Sequence, residues 1–432
     1  MSDTEQFNSL KQKTREINTF LRSAYASFFD RKGQTFEEPF GGNPLESIGP
    51  WPEFILHGFP CPRSLMGNCT PCGYSNVEPV VPDKDLVYDS LLCQIDNILD
   101  NFQIKVIPNQ KRKPPYPRFK KRFTQGRDVM LAISPIGSFF NDAEIPSFYR
   151  KKILEKLVLF SQRHRINFML FVETCAADVL KTYYSGELTT LLPSLQELNS
   201  AVLIGLESAS DFVRNVLYLK DLSLEDFEES VKILKEMQIE AGAFVFAGVH
   251  SMTQTETIDD VNKTMGYLQR TDVMPVLMLS NLKICTLNHL LYIYNRYKML
   301  DPRTIVTIVD GLLKRARGRE RTEPWLIADP VGGPPQPEAN PFDNPRAATC
   351  KECSQKILHS LRFLRETYDE KVFRMMLQDV RRCACHNSYE EMMRIHTNLG
   401  TNTLYNRAME TIHFADGKKE EYVSRVKSGV LT

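Results

Sequence analysis

No stretch of this chain is built to enter a membrane. The segment after Met1, "MSDTEQFNSLKQKTREINTF", is charged and helical in pattern and lacks the apolar core of a signal segment. No apolar run approaches the roughly 20 residues that span a bilayer. Both absences predict a cytoplasmic protein with no membrane partner. Charge of one sign is missing too: 54 Lys and Arg face 53 Asp and Glu, for a net charge of +1. A protein that grips a long nucleic acid through its phosphates carries an excess of basic residues, so any such surface here is local. There is no glycine fingerprint of the dinucleotide-binding kind. The ten cysteines form no regular framework, and a cytoplasmic compartment keeps thiols reduced, which sets disulfides aside.

What is present is a rhythm. Six short apolar runs, "EFILHGF" (53–59), "DVMLAIS" (128–134), "INFMLFVE" (166–173), "AVLIGLE" (201–207), "AGAFVFAGV" (241–249) and "PVLMLSNL" (275–282), alternate with longer amphipathic stretches. "KDLVYDSLLCQIDNILDNF", "YRKKILEKLVLFSQRH" and "SLEDFEESVKILKEMQ" read as helices, the last with Ser223 as N-cap three residues before Asp226. Strands alternating with helices predict a parallel sheet with helices packed outside it. The expected α/β fold is a partial (β/α)6 TIM-like barrel, whose chemistry sits in the loops after the strands' C-terminal ends. Around it the chain divides into an N-terminal helical extension (1–50), the barrel (51–325), a Pro/Gly-rich linker (326–347) and a C-terminal Cys-rich module (348–432). The tail beyond about 390 carries no clear pattern.

"CPRSLMGNCTPCGYSN" (61–76) follows the first strand and crowds Cys61, Cys69 and Cys72 into twelve residues. So polar a loop has little core in which to bury thiols, so metal binding explains them better than packing. Structural zinc generally wants four ligands, whereas a cubane cluster needs one thiolate per iron. Three cysteines leave one iron of a four-iron cluster open, and S-adenosylmethionine (SAM) suits such an iron. Gly73, Tyr74 and nearby backbone amides are candidates to contact the cofactors. The competing reading of this loop is a zinc site or reduced thiols.

A second set, Cys350, Cys353, Cys383 and Cys385, has the spacing C-x2-C … C-x-C across a helical insert. Four thiolates suit tetrahedral structural zinc, His386 being able to replace one; an auxiliary iron–sulfur cluster and unligated thiols are the alternatives. Cys93 and Cys175 read as core thiols, and Cys285 as a small buried residue in the loop after the sixth strand. "NQKRKPPYPRFKKRFTQGR" (109–127) interleaves basic residues with aromatics, as an RNA-binding segment or a solvated loop does.

The barrel rhythm and the first cysteine loop resemble the radical SAM superfamily, although its usual C-x3-C-x2-C is widened here to C-x7-C-x2-C. In detail the chain is similar to the archaeosine synthase radical SAM subunit and related tRNA-modifying proteins, which carry a widened first gap. "ISPIGSFFNDAEIP" (133–146), "FVETC" (171–175), "VLIGLESASDFVRN" (202–215) and the paired "CKEC" and "CAC" match that group in order. The resemblance implies a 4Fe-4S cluster on Cys61, Cys69 and Cys72. It implies that Gly137 and Ser138 approach the methionine moiety and that Glu173 accepts from the SAM ammonium. Glu207 would meet the ribose or the substrate. It implies reductive SAM cleavage, fed by a flavodoxin or ferredoxin, acting on a modified tRNA base, with carbon–nitrogen cleavage, or on a small metabolite of a natural-product pathway. The alternative function is a non-catalytic, metal-stabilised RNA-binding protein.

Overall fold

The computed structural model describes residues 3–28, 53–56, 59, 61–70, 84–101, 128–135, 137–279, 285–316, 326–327, 351–367, 369–397 and 403–429. Cys72, Gly73, Tyr74, the basic segment 109–127, residues 328–347 and Cys350 lie outside the described residues.

Helix α1 (Asp3–Phe28) precedes strand β1 (Glu53–Leu56), the one-turn helix α2 (Pro62–Leu65) and α3 (Lys84–Asn101). The alternation then runs β2 (Asp128–Pro135), α4 (Ser147–His164), β3 (Asn167–Thr174), α5 (Ala176–Tyr184), α6 (Glu187–Glu197), β4 (Ala201–Glu207) and α7 (Leu224–Glu236). It continues through β5 (Glu240–Ala247), α8 (Gln254–Arg270), β6 (Met274–Leu279), α9 (Leu287–Ile293), α10 (Pro302–Ala316) and β7 (Leu326–Ile327). Five helices close the chain: α11 (Lys351–Thr367), α12 (Glu370–Met376), α13 (Gln378–Arg382), α14 (Cys385–Thr397) and α15 (Leu404–Lys427).

All neighbouring strands pair in parallel, in the order β1 to β7. A sheet in strict sequence order with helices in the connections is the open, barrel-like α/β arrangement that the sequence rhythm predicts. Alternation along each strand sorts its side chains. In β3, Phe168, Leu170 and Val172 enter the core beneath the helices, while Met169 and Phe171 face the other way with Leu203, Met274 and Val276. Both faces are buried, which is why the strands read as unbroken apolar runs. Ser223 caps α7 as expected, its hydroxyl accepting from the Asp226 N–H at 3.0 Å.

Three expectations need correction. The sheet has a seventh strand, because Leu326 and Ile327, placed in the linker by composition, extend the edge of β6. The patternless tail is helical: α15 lays Ala408, Ile412, Tyr422 and Val426 against Leu10, Ile17 and Leu21 of α1 in a second buried cluster. Cys93, read as a core thiol, is exposed on α3. The helix buries Leu91, Gln94, Ile95 and Ile98 instead, so Cys93 falls on its solvent side. Among the described residues no helix is long and apolar enough to cross a membrane.

Candidate functional site

Parallel strands bring all their C-terminal ends to one rim, where Cys61, Cys69, Gly137, Ser138, Glu173 and Glu207 of the predicted residues lie. Cys61 follows β1 at the start of α2, and Pro62 occupies the first helical position, where a missing N–H costs nothing. The loop then tightens through Gly67 (φ +78°) and Cys69 (φ +58°), both left-handed. Left-handed backbone at a residue with a Cβ is strained and persists only where surroundings impose it. Here the Cys69 N–H donates to Leu219 O at 3.3 Å and the Thr70 N–H to Tyr218 O at 3.1 Å, tying the loop to the segment after β4.

Helix α1 holds the same loop from outside. Asn18 donates to Gly67 O at 3.0 Å, and Arg22 donates to the carbonyls of Cys69, at 3.0 Å, and Ser64. A Cβ on Gly67 would lie 2.6 Å from Arg15 O and 2.5 Å from Thr19 Oγ1, so glycine lets the loop seat against the helix. Arg15 and Lys11 pair with Asp221, which also accepts from Asn68 of the loop at 3.0 Å.

The segment after β2 meets the cysteines directly. An added Cβ at Gly137 would fall 2.6 Å from Cys61 Sγ and 2.5 Å from both oxygens of Glu144. Ser138 donates its N–H to Glu144 at 2.9 Å and shares a 2.8 Å hydroxyl contact with Thr174 at the end of β3. Glu144 is 1% exposed. Burial pushes its carboxyl up to about 8, opposed by the Ser138 N–H and reinforced by Asp178. Arg150 fixes the segment, pairing with Asp142 and Glu187 and donating to Ile145 O.

Cys175, expected as a core thiol, caps α5 half-buried at this rim and donates to Asp178 at 2.7 Å. Burial pushes its thiol up to about 12, against the pull of Arg63. Arg63 itself is held above its ordinary value: burial opposes its charge, but Cys175, Cys69, Asp178 and Cys61 favour it.

Glu173, next to last in β3, is half-buried on the face of Met169 and Phe171, and its carbonyl accepts from Phe139 N at 2.8 Å. Glu207 closes β4 beside a register shift, left-handed (φ +65°) and 5% exposed. Its Oε1 meets Lys220 Nζ at 2.7 Å, and its Oε2 is buried without a hydrogen-bond partner. Burial works against the charge of Lys220, yet Cys69 and Glu207 keep it above its usual value. Cys61, Cys69, Gly137, Ser138, Glu173 and Glu207 therefore share one rim. The reading from sequence missed Arg63, Glu144 and Lys220; an ionisable residue within a few positions of each motif was the available signal.

Elsewhere, Cys353, Cys383 and Cys385 bring their sulfurs within 4.8 Å of one another. Cys285 is buried, as expected.

No family model matches the chain, and no curated protein matches it. Solved structures similar to it include archaeal Elp3 from Methanocaldococcus infernus, at 13% identity and TM-score 0.35, over 49% of this chain and 50% of that one. Another is the radical S-adenosylmethionine methyltransferase TsrM from Kitasatospora setae, solved with cobalamin and a 4Fe-4S cluster, at 12% identity and TM-score 0.30. That match covers 50% of this chain and 32% of TsrM. Methylornithine synthase (PylB) matches at 10% identity and TM-score 0.33 over 71% and 79% of the two chains. The chain thus spans about half the length of the Elp3 structure and a third of the TsrM structure.

Proposed function

We propose that this chain is a radical SAM enzyme whose 4Fe-4S cluster is held by Cys61, Cys69 and Cys72 at the barrel rim. The observation that carries the reading is the packing of an irregular cysteine loop against Gly137, with two half-buried cations, Arg63 and Lys220, beside it. A thiolate-ligated cluster carries net negative charge, and half-buried guanidinium and ammonium groups beside its ligands suit that charge. Thr70 Oγ1 and Glu207 Oε2 are buried at the same rim without hydrogen-bond partners, which suits a polar ligand lying there. Cys61 and Cys69, the two described members of the proposed donor set, are thiols suited to iron.

A reduced cluster bound there would supply the electron that splits SAM into methionine and a hydrogen-abstracting 5′-deoxyadenosyl radical. The chain's residues have the remaining tasks. Glu173 offers a carboxylate to the SAM ammonium and Lys220 a cation to its carboxylate, both charge-assisted contacts. Gly137 and Ser138 let backbone approach the methionine moiety, and Glu207 serves the ribose or the substrate. Tyr74 belongs with these cofactor contacts. Met169, Phe171 and Leu203 floor the barrel with apolar side chains and exclude water below the reacting atoms. The substrate class that fits is one with an abstractable C–H bond, either a modified tRNA base undergoing carbon–nitrogen cleavage or a small metabolite, with flavodoxin or ferredoxin as electron donor.

Anaerobically reconstituted protein should hold about four iron and four sulfide at the first cysteine set. With dithionite and SAM it should release methionine and 5′-deoxyadenosine. Changing Cys61, Cys69 and Cys72 together to alanine should abolish both. Glu173→Gln should retain the iron yet weaken SAM binding by about 1.5–3 kcal/mol, the worth of a hydrogen bond to a charged group. S-adenosylhomocysteine without deoxyadenosine would mean methyl transfer and overturn the chemistry. Deuterium passing from a labelled candidate into deoxyadenosine would name the substrate.

A further inference from the structure

Cys353 lies in the first turn of α11, Cys383 ends the α13 segment, and Cys385 opens α14. Their sulfurs lie within 4.8 Å of one another, and those of Cys383 and Cys385 are 3.1 Å apart. Among the described residues no other group of three potential ligand atoms converges in this way. The spacing discriminates between metals. With zinc–sulfur bonds of about 2.3 Å, tetrahedral geometry sets neighbouring sulfurs about 3.8 Å apart. A cubane cluster must instead fit several irons and sulfides between its thiolates, with each thiolate on a different iron.

A charge argument from another part of the chain agrees. Arg303, in the first turn of α10 and 4% exposed, donates to Cys385 Sγ. Its guanidinium lies 3.8 Å from Asp301 and over the Tyr389 ring at 6.0 Å. A donor that is permanently charged and this deeply buried suits a metal-held thiolate as acceptor better than a neutral thiol.

We infer that Cys353, Cys383 and Cys385 bind a structural zinc ion whose thiolate charge is balanced by Arg303. The ion joins three C-terminal helical segments, and through Arg303 it ties them to α10 on the flank of the barrel. Because Arg303 does not touch the ion, it is a positioning residue: it stabilises the charged ligand set from outside.

The test uses the full chain carrying the Cys61/Cys69/Cys72→Ala changes, so that iron at the rim cannot confuse the count. Elemental analysis should find about one zinc per chain, and X-ray absorption should show at least three sulfurs at about 2.3 Å. Cys353→Ser should lose the zinc. Should that variant fail to fold, the absorption spectrum of the parent still decides the ligand set. Arg303→Met should raise the zinc dissociation constant by about 10- to 100-fold in chelator competition, as removal of an outer-shell partner does, with Arg303→Lys recovering part of it. Iron with acid-labile sulfide, a zinc shell with fewer than three sulfurs, or unchanged affinity in Arg303→Met would each overturn the inference.

Discussion

The two cysteine centres are built in opposite ways. At the C-terminus the thiols stand on or beside helices and converge on one another within 4.8 Å, with Arg303 at their side. At the barrel rim Cys61 and Cys69 sit in a loop that turns through a left-handed cysteine, ringed by Arg63, Lys220, Glu144 and Asp178. In structural zinc sites a convergent ligand set fills the coordination shell and leaves little room for chemistry. The rim loop relies on supports from α1 and from the ends of β2 and β4, and it surrounds its ligands with ionisable groups. Perturbed ionisation gathered in one place is the mark of a working site. The contrast teaches that what surrounds the thiols, more than their number, separates a staple from a reactive centre.

Gly137→Ala should produce the largest change in iron content and should strike the rim alone. The new methyl would stand 2.6 Å from Cys61 Sγ and 2.5 Å from the oxygens of a Glu144 carboxyl that the Ser138 N–H holds in place. Overpacking of this kind costs about 1–3 kcal/mol, and the ligand thiol is the atom that must move. The variant should fold, keep its zinc and lose most of its iron. Full iron content would show that this close approach has nothing to do with the cluster.

How much of this contrast the sequence discloses depends on how local the signal is. Cys61, Cys69 and Cys72 stand out because three thiols in twelve polar residues have no packing explanation. The strands are legible because burial on both faces makes them continuous apolar runs. Lys220 and Arg303 are hard to read because each reaches its cysteines through tertiary packing, whereas Arg63 and Glu144 stand inside motifs already singled out and lack only a local mark that ties them to the thiols. Leu326–Ile327 is too short to show a period, and its strand exists because β6 offers an edge. The α15 helix hid because only one narrow stripe of it is apolar, and that stripe gains meaning from α1.

A pH ramp sharpens the comparison further. His250, in the loop after β5, is fully buried, with Nδ1 2.9 Å from Ser251 Oγ. Burial depresses it from 6.5 to about 4, opposed by the Leu217 backbone. The folded state therefore resists a proton that the unfolded chain accepts below pH 6.5. This group's stabilisation is whole above pH 6.5 and is lost as pH falls through about 4, amounting to about 3 kcal/mol over that window. Urea unfolding of the metal-free protein should weaken across the window, and His250→Asn should flatten the slope by about one proton. Equal slopes in the two proteins would show that His250 titrates normally.

The smallest effect should come from the helix that supports the rim loop. Asn18 of α1 is buried and gives its amide to Gly67 O at 3.0 Å, far from any sulfur of the C-terminal set in the chain's order and bonded to none of them. Asn18→Ala leaves that carbonyl without its side-chain donor, at a cost of about 1–2 kcal/mol. If the loop depends on supports outside itself, the cost should appear as easier opening around the cluster, a factor of about 5–30 in the equilibrium. Iron release to a chelator should quicken accordingly while zinc release keeps its wild-type rate. Equal acceleration of both would mean that α1 acts on the whole fold through α15, and no acceleration of either would mean that the rim loop, like the C-terminal set, holds itself.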